Sequence, residues 1–174
     1  MYTKTSQIAE QANRLIRAYG TSDPYRLADA LGVEILVRNF RQQRGAYKII
    51  LRNPFVFLKA DLDPVMERIV LCHELGHHIL HRDEAERRGG FREFNIFDMR
   101  SDRMEYEANV FASQLTLPDG EVLNHIENGY DIQQIAAAMG SDINLVALKI
   151  DTLIAQGYRL RRQTHSDVFL KYNK

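Results

Sequence analysis

Apolar positions change their spacing several times along the chain, and each change marks a different kind of element. Residues 5–19 (TSQIAEQANRLIRAY) place Ile8, Ala12, Leu15, Ile16 and Tyr19 at the repeat of a helix with one buried face, and Gly20 follows as a stop. Asp23 and Pro24 then give the cap-plus-proline signature of a second, short helix. From residue 33 the pattern becomes short runs rich in β-branched and aromatic residues: VEILVR (33–38), AYKIILR (46–52) and FVFLKA (55–60). Asn53-Pro54, between the last two, reads as a tight turn, so the three runs predict a small antiparallel sheet.

Asp63-Pro64 repeats the cap signal and opens PVMERIVLCHELGHHIL, which is apolar on nearly all sides, as expected of a central buried helix. Residues 82–102 are charged and contain Gly89-Gly90; they predict a long loop, interrupted by the aromatic patch FREFNIF (91–97), of a length that is uncommon and often functional. Helical spacing resumes in MEYEANVFASQL (104–115) and stops at Pro118. Three shorter helices follow around 119–128, 131–139 and 143–156, and the basic tail from Tyr158 has no clear assignment. All four prolines fall at element boundaries and no stretch reads as a linker. The expectation is one α+β domain over residues 1–174: helices and sheet to about residue 62, a central pair of helices with their intervening loop over 63–118, and a mostly helical C-terminal region from 119 onward.

Composition narrows the function. Lysine plus arginine equals aspartate plus glutamate at 23 each, so no net field draws the chain to a polyanion or an acidic membrane. The N-terminal stretch lacks the apolar core of a signal peptide and nowhere do eighteen apolar residues run together, which predicts a soluble, cytoplasmic protein with no membrane association. With Cys72 as the only cysteine there is no intrachain disulfide and no cysteine-rich zinc motif, and Cys72 itself reads as a small buried apolar group. Any metal site must be built from histidine and carboxylate.

HELGHHILH (73–81) offers such a site. On a helix, His73 and His77 project from one face a turn apart and can take adjacent corners of a tetrahedron, while Glu74 stands beside the first of them as a carboxylate base. Two nitrogen ligands and an adjacent base are what a zinc hydrolase requires. Gly76 costs about 1 kcal/mol against alanine inside a helix, which asks for a compensating reason such as a close backbone approach. Leu80 and Asp83 stand where a HExxHxxGxxH pattern needs glycine and histidine, so the third ligand must come from another helix. MEYEANVFASQLTLP presents Glu105 and Asn109 on one face, a carboxylate for the metal with an amide able to hold a ligand histidine's other N–H. Glu107 lies roughly 160° around that helix, so Glu105 is preferred. His78 is expected to pack; His81 is not expected to be a ligand, and a role as an outer support or loop contact is weighed for it and not favoured. Tyr47, Tyr106 and Tyr130 could each stabilise an oxyanion, and the sequence does not select among them.

These segments resemble the ImmA/IrrE metallopeptidases over most of the chain: YGTSDPYRLADALGVEI before the sheet, HELGHHILH on the central helix, and EYEANVFASQLTLP after the loop. The resemblance implies a zincin-like fold, one Zn²⁺ held by His73, His77 and Glu105, Glu74 as general base, and a gluzincin-like endopeptidase. It further implies a helix-turn-helix repressor of a prophage or mobile element as protein substrate. The alternative from another class is a zinc-dependent module that sequesters a repressor without cutting it. A third is a DNA-binding regulator, because IAAAMGSDINLVALKI has helix-turn-helix spacing; Lys149 is the only base in its second helix, which argues for a packing or partner-docking element with no direct nucleic-acid binding. An extended substrate is expected to lie along the edge of the 33–60 sheet and residues 91–97.

Overall fold

The computed structural model describes residues 4–93 and 103–160. Helix α1 (Lys4–Tyr19) and the short α2 (Pro24–Ala30) come first, α2 being capped by the Asp23 carboxylate, which accepts from the Tyr25 N–H at 2.9 Å. Three strands follow, β1 (Glu34–Arg38), β2 (Gly45–Ile50) and β3 (Asn53–Lys59), where the β-branched and aromatic runs place them. Central helix α3 (Pro64–Leu80) begins at the predicted cap, Asp63 accepting from the Met66 N–H at 3.0 Å.

The sheet is mixed, not antiparallel, and among the described residues it has four strands in the order β1-β3-β2-β4. β2 and β3 form an antiparallel hairpin from Gly45 opposite Leu58 to Ile50 opposite Asn53. β1 pairs in parallel with β3, Glu34 opposite Phe55 through Arg38 opposite Lys59. Spacing along a strand tells which side chains share a face but not which neighbour it chooses, and β1 chooses the far strand of the hairpin. The turn also sits two residues earlier than Asn53-Pro54: Leu51 and Arg52 occupy it with φ of 49° and 69°, the left-handed pair a two-residue hairpin demands. Pro54 instead lies in β3 opposite Ile49, before the pairing with β1 begins at Phe55, so its missing N–H leaves no gap on that side.

The predicted loop over 82–102 is partly regular. Arg82–Arg88 form α4, which ends on Gly89 at φ 77°, and Phe91–Glu93 form β4, antiparallel to β2 with Tyr47 opposite Phe91. The remainder of the FREFNIF patch lies outside the described residues. Beyond it α5 (Arg103–Thr116), α6 (Asp119–Glu127), α7 (Ile132–Met139) and α8 (Ile143–Ala155) match the expected helices closely. Among the described residues no helix is long and apolar enough to cross a membrane.

α3 lies between the sheet and α5, and every residue from Ile69 to His78 is buried. That sandwich explains why its sequence shows no polar stripe. α8 packs on α5 and α1, with Lys149 wholly buried and its ammonium donating to Gln114 Oε1 and the Asp119 carboxylate. The one base of α8 therefore faces the core.

Candidate metal centre

The two histidines of the central motif stand one turn apart on the face of α3 that meets α5, and both are buried. Contact between the helices is close enough to crowd a methyl group: a Cβ on Gly76 would lie 3.0 Å from Ala108 Cα and 3.1 Å from its carbonyl oxygen. This is the backbone approach that the mid-helix glycine foreshadows. It brings the first turn of α5 over the histidines. His73 Nε2 and His77 Nε2 are 3.0 Å apart, and Glu105 Oε2 lies 3.1 Å from the first and 3.4 Å from the second.

Three donors on a tetrahedral ion with bonds of about 2.0–2.1 Å are separated by about 3.3 Å, close to the spacing of these three atoms. His73, His77 and Glu105 could thus hold a metal ion, their ligand atoms all within 4.8 Å of one another. The protonation states suit the task. Burial pushes the His77 pKa down to about 4, against the opposing pull of Glu105, so the ring is neutral near pH 7. Burial favours the protonated form of Glu105, but the facing His73 and His77 rings outweigh it and hold the carboxyl below its usual range.

Glu74 is buried on the neighbouring face of α3, toward β2. A Cβ at Gly45 would come within 2.6 Å of Glu74 Oε1 and 2.6 Å of Val70 Cγ1, so the carboxylate occupies the space the glycine leaves open. Phe91, from β4, stacks on the His77 ring with centroids 4.1 Å apart and planes 10° from parallel. The nearest edge strand of the sheet is therefore fastened directly to the cluster.

Behind the donor atoms, Asn109 Oδ1 accepts from His73 Nδ1 at 2.8 Å, as the Glu105/Asn109 spacing suggests. His81 is where the sequence reading fails. It is buried, its Nδ1 lies 3.1 Å from His77 Nδ1, and its Nε2 lies 3.1 Å from Glu107 Oε2. Glu107 does face away from the donor triangle, as the helical repeat requires, yet it meets the site from behind through His81. The signal was present in the motif: His73, His77 and His81 follow one another at i, i+4 and i+8, so neighbours in that row touch even though its ends cannot share an ion. His78 points elsewhere, its Nδ1 2.9 Å from the Tyr47 hydroxyl, as expected of a packing histidine. Of the other tyrosines weighed for an oxyanion, Tyr130 sets its ring against His125 and Tyr106 packs at the core's edge.

The family model described as the IrrE N-terminal-like domain, a peptidase family, matches residues 28–151, a span that contains every site residue named above. The chain belongs to this peptidase family. It is 32% identical over 143 residues to "Uncharacterized immunity region protein 2" of Bacillus phage phi105, covering 82% of this chain and 88% of that protein. It is 29% identical over 133 residues to "Metallopeptidase ImmA" of Bacillus subtilis (strain 168), covering 75% of this chain and 76% of that one.

Proposed function

We propose that this chain is a cytoplasmic zinc endopeptidase whose substrate is a helix-turn-helix repressor of a prophage or mobile element. The observation that carries the peptidase reading is the triangle of His73 Nε2, His77 Nε2 and Glu105 Oε2, with the Glu74 carboxylate on the adjacent face of the same helix. Two neutral imidazoles and one carboxylate suit zinc in a tetrahedral site with one position left for chemistry. Zinc held there supplies Lewis acidity toward the scissile carbonyl and toward water.

The side chains do the rest. Glu74 accepts the proton of the attacking water and later delivers it to the leaving amine, so that the amine departs neutral. Phe91 fixes the edge strand beside His77, and an extended peptide adding to that edge would present its backbone to the site. β4 covers the edge of β2 at residues 45–47, so within the expected cleft of sheet edge and residues 91–97 the strand that would receive the peptide is β4. The repressor as substrate is supported by the similarity to a phage immunity region protein and to a metallopeptidase.

The test is co-expression of the wild type, and of Glu74→Gln, with the helix-turn-helix repressor encoded nearest the gene, followed by intact mass of the repressor. A discrete cut made by the wild type and lost with Glu74→Gln is the expected result. An uncut repressor that co-purifies with both forms would replace the peptidase by a sequestering module.

A further inference from the structure

We infer that His81 and Glu107 are positioning residues of the metal centre: together they select the tautomer of His77 that can bind a metal and orient its ring. The inference rests on the zinc reading above and concerns how tightly the site holds its ion.

Hydrogen-bond logic along the row runs in one direction only. A carboxylate accepts and cannot donate, so His81 Nε2, 3.1 Å from Glu107 Oε2, carries the hydrogen. In a neutral imidazole the other nitrogen is then an acceptor, so His81 Nδ1 takes a hydrogen from His77 Nδ1 at 3.1 Å. With its hydrogen on Nδ1, His77 has a lone pair on Nε2, the atom aimed at His73 Nε2 and Glu105. The reverse arrangement would put a hydrogen on His77 Nε2 and close that position to a cation.

The carboxylate at the end of the row is itself secured. Glu107 is paired with Lys4 from α1 and accepts from Arg103 Nε at 2.8 Å, a full turn earlier on α5. Three elements therefore converge on a nearly buried carboxylate whose remaining oxygen serves His81. That construction is more than burial of a stray charge needs. An acceptor behind a ligand histidine, here His81 with the Glu107 carboxylate beyond it, fixes the ring's tautomer and plane, and loss of such a partner weakens metal binding by about 10–100-fold. His73 is held differently, by the Asn109 amide alone, so the two ligand rings have supports of different kinds.

The test measures Zn²⁺ affinity of the full chain against a chromogenic chelator, with thermal stability of the metal-free protein as the folding control, for the parent, His81→Leu, His81→Asn and Glu107→Gln. His81→Leu, which offers His77 no acceptor, should weaken binding about 10–100-fold. In His81→Asn the amide oxygen takes the place of Nδ1 and accepts from His77, so most of the affinity returns. Leucine suits a buried position better than asparagine, so metal-free stability should rank the two in the opposite order; a purely structural role would rank both quantities alike. Glu107→Gln keeps shape while removing charge and obligatory acceptance, and should cost about tenfold even if His81→Leu fails to fold. Parent-level affinity in Glu107→Gln together with equal affinities in the leucine and asparagine variants would overturn the relay. A parent chain that takes up no zinc would overturn the zinc reading itself, which is a different result.

Discussion

Gly76 and Ala108 are the point at which the two halves of the site meet. A Cβ on Gly76 would stand 3.0 Å from Ala108 Cα, so the absence of a side chain there sets the distance between α3 and α5, and with it the reach of Glu105 to His73 and His77. Gly76→Ala should raise helix propensity by about 1 kcal/mol yet lower net stability, because the obstructing atoms are backbone and overpacking typically costs about 1–3 kcal/mol. Urea unfolding and zinc titration check this together: reduced stability with weakened zinc binding is expected, and a more stable variant with parent-like binding would contradict the close-contact account.

Gly45 performs the same service for the proposed base. A methyl group there meets Glu74 Oε1 and Val70 Cγ1 at 2.6 Å each, and both must give way. Gly45→Ala should therefore lower turnover by an order of magnitude or more while zinc stoichiometry stays at the parent value, since neither His73 nor His77 is touched. Loss of zinc in this variant would show that the displacement travels into the ligand helix.

Acid should loosen the metal-free protein. Burial lowers the pKa values of His77 and of His78 to about 4 from 6.5. Between those two pH values the unfolded chain binds protons that the folded chain does not, so the stability contributed by these neutral rings is complete above about pH 6.5 and is lost as pH falls toward 4. The upper bound is about 3 kcal/mol for each ring. Urea unfolding in the presence of a chelator at pH 7 and pH 5 should give a clearly lower free energy at pH 5, and a flat or opposite trend would mean that the rings are not held neutral.

Much of this arrangement is legible in the sequence for physical reasons, and the failures have physical reasons too. α3 and α5 announce themselves through caps, prolines and spacing, and the i, i+4 pairs His73/His77 and Glu105/Asn109 place their side chains on single faces whatever surrounds them. α4 escapes because RDEAERR buries only Ala85 and is tied by charge pairs such as Arg87–Glu84 at 2.6 Å, so it has no apolar stripe to read. β4 is three residues long, too short for alternation to show. The parallel pairing of β1 with β3 and the meeting of His81 with Glu107 are properties of how elements dock, on which a one-dimensional pattern is silent.

The most direct measurement is zinc stoichiometry by elemental analysis of the purified wild type beside Glu105→Ala, each loaded with excess Zn²⁺ and desalted. The account predicts about one zinc per chain in the wild type and a large loss in Glu105→Ala, because the remaining histidines fill only two corners of the tetrahedron. A full zinc complement in Glu105→Ala, or none in the wild type, would contradict the site as described.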